Sequence, residues 1–258
     1  SLDLVVIPRF EPDNVPRGER LSFFNPFTNS RVGTEADLSF KEPALGSIEI
    51  AGRLYRTIGS YEVALYGFRG FFKQPLGIRD FARQELFFPK LAIYGASLRG
   101  VLWGGIANGE VGYYDSLEDQ RGTNPRIENS SLKYLLGYER QVATDFTVRA
   151  QYFVEHLLQF DQFRATLPSG APERDQFRHL ITLRLTQLLK YQTLTLSLVA
   201  FYSPSDRDWY IRPVIGYNAT DQFTVTIGAN LFGGKRDFTP FGQLDTNDNL
   251  YLRLTYRF

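Results

Sequence analysis

The feature that most constrains this chain is an apolar–polar alternation with a period of two, which recurs along most of its length and persists to the last residue. LYLRLTYRF puts Leu250, Leu252, Leu254, Tyr256 and Phe258 on one face of a strand and Tyr251, Arg253, Thr255 and Arg257 on the other. FTVTIGAN sets Phe223, Val225, Ile227 and Ala229 against Thr224, Thr226, Gly228 and Asn230, and WYIRPVIGYN sets Trp209, Ile211, Ile215 and Tyr217 against Arg212, Gly216 and Asn218. Pro213 lacks a ladder donor, so a bulge or an unpaired donor position is expected there. Similar stretches begin at residues 192, 177, 144, 131, 104, 90, 60, 47 and 32, giving twelve predicted strands, most nine to twelve residues long. The strand from residue 60 is the least regular. LDLVVIP at 2–8 is a thirteenth candidate, followed by a polar, proline-containing segment, so residues 1–31 read as an N-terminal extension or partial strand and 32–258 as the β domain.

Composition agrees with alternation. The chain carries 22 Phe and 15 Tyr, yet its mean hydropathy is only −0.25. Polar residues therefore interleave with the aromatics. No stretch approaches the roughly 18–20 uninterrupted apolar residues of a membrane helix. Basic and acidic side chains nearly cancel, 29 against 28, with no long charged block, which argues against a nucleic-acid partner. Zero cysteines exclude disulfides, thiolate metal sites and cysteine nucleophiles. Zero methionines, initiator included, read as a processed, trimmed or partial chain.

Connections alternate in length: short near Ile58, Leu102, Val142, Leu189 and Ala219, long over 73–89, 116–130, 157–176 and 233–249. Outer-membrane barrels have this asymmetry, with short periplasmic turns and long outer loops. A soluble β-sandwich also alternates, but its strands usually run near five or six residues over a shared core. Strand length therefore favours an all-β, antiparallel transmembrane barrel of the bacterial outer membrane. About twelve strands are expected, with twelve to fourteen, or part of a larger barrel, left open. Since an open edge in hydrocarbon leaves backbone groups unsatisfied, twelve strands closing alone would pair residues 32–39 with 250–258.

RLSFFNPF, YGASLRG, GGIANGEVGYYDS and the terminal LYLRLTYRF resemble an uncharacterised family of Gram-negative outer-membrane, porin-like β-barrels, with the chain matching mainly the family's C-terminal portion. The resemblance implies that Phe258 is the terminal aromatic recognised by the barrel-assembly machinery. It also implies that LDLVVIPRFEP is an internal segment of a longer pattern, so a missing N-terminal segment or a partner subunit enters the expectation.

On the faces assigned to the lumen, the pore-lining candidates are Glu35, Asp37, Glu49, Arg53, Arg99, Glu110, Glu139, Arg149, Glu155, Arg184, Arg212, Arg253 and Arg257. Arginine forks pair with carboxylates and leave donors over, so these residues either bias solute passage or satisfy one another. Phe232, Lys235, Arg236, Phe238, Phe241 and Asp245 in one long loop, and Phe160, Phe163 and Arg164 in another, are candidates for a gate or capture surface, with ordinary loop packing as the alternative. Asp245, Asn247 and Asp248 offer hard oxygens for calcium but no complete ligand set. His156 and His179 lie near the loop ends of consecutive strands that could bring them together; outward parity makes them interfacial residues before catalysts or metal ligands. No nucleotide-binding or hydrolase motif is present. The expected function is a porin or channel for passive or weakly selective passage of small solutes. A structural sheath, partner-binding or adhesion protein is the alternative, and an outer-membrane enzyme the third reading. No catalytic residue, metal or cofactor is expected, and the expected surroundings are outer-membrane lipid and lipopolysaccharide.

Overall fold

The computed structural model describes residues 1–258. Its strands are β1 (Leu2–Ile7), β2 (Phe23–Asn25), β3 (Ser30–Val32), β4 (Ser39–Lys41), β5 (Glu49–Ile58), β6 (Tyr61–Phe71), β7 (Gly77–Asp80), β8 (Glu85–Phe87), β9 (Lys90–Leu102), β10 (Gly105–Ser116), β11 (Ser131–Ala143), β12 (Phe146–Leu157), β13 (Phe177–Leu189), β14 (Leu194–Ser203), β15 (Asp208–Asn218), β16 (Phe223–Gly234) and β17 (Asn249–Tyr256). A short helix, α1 (Phe160–Thr166), and a 3-10 turn at Gly242–Leu244 complete the elements.

Twelve strands form one antiparallel sheet in the order β1-β5-β6-β9-β10-β11-β12-β13-β14-β15-β16-β17. Two small sheets, β2-β3 and β4-β8-β7, are built from the first long segment and the β6–β9 connection. The count of twelve is reached with a different membership from that predicted. Residues 32–39 give no strand to this sheet, with Val32 ending β3, Ser39 opening β4 and 33–38 outside any strand, and the six-residue β1 takes a place in the sheet instead, with Leu2 opposite Leu54 and Val6 opposite Ile50. The backbone near Leu38 turns, since the Leu38 N–H donates to the carbonyl of Ala36 and the Ala36 N–H to that of Arg17. The expected pairing of 32–39 with 250–258 is therefore corrected. The sheet order starts at β1, ends at β17 and does not close into a barrel.

Contacts divide the chain into two compact units: Ser1–Gly100, Asn108–Leu135 and Val154–Arg178 in the first, and Val101–Ala107, Leu136–Phe153 and His179–Phe258 in the second. In the first unit the buried apolar side chains, including Phe10, Phe23, Leu38, Leu86, Phe88 and Leu157, gather among the long connections and the strand ends that carry them. Phe10 packs on Phe88 and edge-on to Phe71, at 4.9 and 5.7 Å between ring centroids.

In the second unit, pairing is continuous from β13 to β17, and directly opposed residues share a face. Ile215 thus lies on the same face as Ile227 and Leu252, while Thr226 and Arg253 lie on the other. Pro213 is opposite Leu198 on β14, and the ladder to β16 lapses between Ile211 and Val214 without a change of register. The predicted unpaired donor position is what forms. A ring lies over the glycine at Gly228, where an added Cβ would meet the Tyr251 ring at 2.5 Å. An aromatic covering a cross-strand glycine restores the packing that glycine lacks, which accounts for part of the joint Gly and aromatic richness.

Candidate functional site

The two faces of the sheet differ in what they expose. In the first unit one face carries Leu4, Leu54, Leu65 and Leu98, and in the second one face carries Ile215, Ile227, Leu252 and Leu254, all exposed, with Leu4 at 70% and Leu252 at 64%. In each unit the opposite face carries most of the predicted pore-lining residues, and these polar faces are the candidate functional site.

On the polar face of the first unit, Arg53 and Glu62 form an ion pair at 2.5 Å. The Arg53 guanidinium also lies over the ring of Tyr55, 4.1 Å from its centroid. Arg99 is opposite Glu62 in the ladder, so three charges of alternating sign share the face. A recess of about 430 Å³ beside them is lined by Asp3, Val5, Ala51, Arg53, Phe68 and Ile93, among others. Nearer the long connections, Lys133 pairs with Glu155 at 2.9 Å and lies over the Tyr114 ring. Arg174 reaches Glu128 at 2.5 Å and Glu155 at 3.8 Å, which ties the end of the 158–176 connection to β12. Glu110 is exposed and accepts a hydrogen bond from Asn108.

Glu49 is corrected as a pore-lining residue. It is fully buried, accepts Lys73 Nζ at 2.5 Å and the Phe71 N–H at 3.1 Å, and Lys73 in turn sits over the Phe10 ring. Gly70 makes room for it, since a Cβ there would lie 2.5 Å from Glu49 Oε1. Its charge is held by the fold and does not face a path. Glu35 and Asp37 are corrected too: both are exposed but lie on the non-strand segment before β4. Arg257 follows the end of β17 and donates its N–H to the carbonyl of Gln222, while Phe258 beyond it is fully exposed.

In the second unit, Arg149 faces Glu139 at 3.7 Å. Arg184 and Arg212 both lie opposite Val199, and Arg253 lies opposite Thr226. Arg212 reaches the Tyr251 hydroxyl at 3.4 Å. Two aromatics not singled out from the sequence, Phe201 and Tyr210, join Phe232 in a parallel stack across three strands, with centroid separations of 5.7 and 4.5 Å. Phe241 from the last long connection packs against Phe201 and Tyr210. The Tyr210 hydroxyl donates to Asn230 Oδ1 at 2.7 Å. Their shared parity with Arg212 was the available signal.

The remaining loop candidates engage their neighbours. Arg164 pairs with Glu173 and lies over Phe160, which packs against Phe163, and Arg236 lies over Phe238. Asp248 Oδ1 accepts the Phe232 N–H at 2.7 Å, and no group of three or more His, Asp or Glu side chains forms a metal site around it or elsewhere. His156 and His179 take different partners: His156 stacks on Phe177 at 4.2 Å, and His179 Nδ1 hydrogen-bonds the Tyr152 hydroxyl at 2.7 Å.

Acidic side chains at the long-connection ends have a recurrent use as acceptors for backbone N–H groups. Glu118 takes that of Lys90, Asp119 those of Thr123 and Asn124, and Asp208 that of Phe241. Such charge-assisted bonds satisfy donors at the ladder ends. No protein-family model and no curated protein matches this chain. The functional reading therefore rests on the faces and the charges they carry.

Proposed function

We propose that the chain is an outer-membrane β-barrel whose two free sheet edges, β1 and β17, come together in lipid, and that its polar face lines a water-filled conduit for small solutes. The observation that carries this reading is the exposed apolar face. Fully burying one leucine contributes about 1.5–3 kcal/mol, and row after row of such side chains stands uncovered. A continuous exposed apolar surface of this kind calls for an apolar partner, and lipid supplies one along the whole sheet.

Aromatics at both ends of that face support the membrane reading. Tyr94, Tyr134, Tyr152, Phe177 and Tyr202 are exposed toward the long-connection ends, and Tyr61, Trp103, Tyr191, Tyr217 and Tyr256 toward the short-turn ends. On β15 the interval from Trp209 to Tyr217 is eight residues, or about 27 Å at ~3.4 Å per residue. A strand tilt of about 40° reduces that to roughly 21 Å, near the ~25 Å apolar band of such barrels.

Strand direction supports closure. An even number of antiparallel strands leaves β1 and β17 antiparallel to one another, and Leu2, Leu4 and Val6 share exposed apolar parity with Leu250, Leu252 and Leu254. The chain has no cysteine, so cysteine at Leu4 combined in turn with cysteine at Leu250, Leu252 or Leu254 tests the seam by oxidation in lipid. One combination is expected to crosslink within a monomer. Crosslinks only between chains would place a foreign strand at this edge. The conduit itself is tested by inserting the chain in a planar bilayer: stepwise ion conductance is expected, and verified insertion with neither conductance nor solute uptake refutes it.

A further inference from the structure

We propose that the polar face from β13 to β17 is an anion-selective strip, with Arg184, Arg212 and Arg253 as its selectivity residues and small phosphate- or carboxylate-bearing solutes as its substrate class. The proposal rests on the conduit reading above and deepens it. The five strands contain one acidic residue, Asp208. It lies at the long-connection end, is fully buried, and accepts the Phe241 N–H. Along the rest of the face no carboxylate faces the three arginines.

Their partners set them apart from the cations of the first unit. Arg53, Lys73, Lys133 and Arg174 each pair with a glutamate. Arg184 and Arg253 form no ion pair, and Arg212 is engaged by the neutral hydroxyl of Tyr251. All three are exposed. A guanidinium keeps its charge at any physiological pH and carries five donors in a fixed fork, so these groups retain donors for a passing oxyanion. Their neighbours on the face are Thr182, Thr186, Ser197, Thr226 and Asn230, whose hydroxyl and amide groups also donate to anions without opposing the charge.

Register sets the spacing. Arg184 and Arg212 are two strands apart through Val199, about 10 Å in the sheet, and Arg253 lies farther round the face and nearer the short turns. Arg184 and Arg212 are thus about one Debye length apart at physiological salt, and Arg212 and Arg253, roughly 17 Å apart by register, about two. This is the arrangement a conducting path needs, with several weak sites and no single tight one. Each unpaired charge in water-like surroundings favours a nearby monovalent anion by a few-fold.

The test is the reversal potential of the full chain in a planar bilayer under a tenfold KCl gradient, repeated with phosphate replacing chloride. Anion preference is expected. The triple variant Arg184→Gln, Arg212→Gln, Arg253→Gln is expected to conduct but to lose about tenfold in the anion-to-cation permeability ratio. The corresponding Arg→Lys triple retains the charge and is expected to retain the preference, which guards against misfolding of the first variant. Conductance that is unselective or cation-selective, or a preference unmoved by the Gln triple, overturns this proposal alone. Absence of any conductance at verified insertion overturns the conduit reading and this proposal with it.

Discussion

Removing the positive partner of Glu49 should release the strand ends around it. The carboxylate is fully buried, with the Lys73 ammonium at 2.5 Å and the Phe71 N–H at 3.1 Å as its donors. Lys73→Met keeps the stem that packs near Phe10 but leaves the carboxylate with the Phe71 amide and no cation. Breaking a buried pair from one side costs about 3–5 kcal/mol. Lys73 is itself about one-third exposed, so the lower figure, about 3 kcal/mol, applies. That is roughly two decades in a local opening constant. Hydrogen exchange at the Phe71 amide, and at the Phe72 amide bonded to the carbonyl of Pro89, reads this opening directly. Both should exchange about a hundredfold faster in Lys73→Met, while amides in mid-β15 stay unchanged. Glu49→Leu combined with Lys73→Met should recover much of the protection at Phe72, because no buried charge is then left unpaired, while the Phe71 amide, its acceptor removed with Glu49, stays fast. Protection in Lys73→Met within threefold of the parent, or a double variant worse than the single at Phe72, would refute this reasoning.

Charge on the apolar face gives a second test: Leu252→Arg should destabilise the lipid-inserted protein by about 2–4 kcal/mol in denaturant titrations, whereas Tyr191→Arg in a short turn should cost under about 1 kcal/mol. Equal small effects would argue for water on both faces. The two tryptophans, Trp103 and Trp209, should be quenched by lipids brominated near the headgroup more strongly than by lipids brominated near the chain end. Gly228→Val should destabilise by about 1–3 kcal/mol through overlap with the Tyr251 ring, and adding Tyr251→Ala should relieve most of it in the same titration. Tyr210→Phe removes the bond to Asn230 and should cost about 1 kcal/mol, with the ring stack preserved in the near-ultraviolet dichroism.

Eleven of the twelve sheet strands are legible because both faces leave a mark: one is consistently apolar, the other consistently not. Residues 32–39 carry the same alternation, through Val32, Thr34, Ala36 and Leu38, yet turn instead of extending. Of these only Leu38 is buried, and local hydrogen bonds hold its backbone. A period of two records a two-sided environment and does not distinguish a ladder from a turn that happens to alternate. β1 was harder to rank because six residues offer few repeats, and the three-residue strands of the small sheets offer none. For the site, parity put Arg53, Arg99, Arg184, Arg212 and Arg253 together on the polar face. It could not tell Glu49, buried against Lys73, from Glu110, exposed on its strand. That difference arises from the 8–48 and 72–89 segments, whose folding depends on distant contacts. The aromatic stack of Phe201, Tyr210 and Phe232 was hidden for a related reason: only cross-strand register brings three residues so far apart in sequence into one column.

The carboxylates that hold backbone amides at the long-connection ends have a consequence for how the molecule responds to its surroundings. Glu118, Asp119, Asp208 and Asp248 draw their stabilisation from bonds within the protein, whereas the exposed leucines of the sheet depend on the thickness and chemistry of whatever covers them. Thinner or thicker lipid should therefore move the melting of the strands and leave amide protection at Lys90, Thr123 and Phe241 nearly constant. Removing those acceptors, as in Asp119→Ala and Asp208→Ala, should do the reverse. The same chain would then show two separable responses, one set by acyl-chain length and the other by these local bonds.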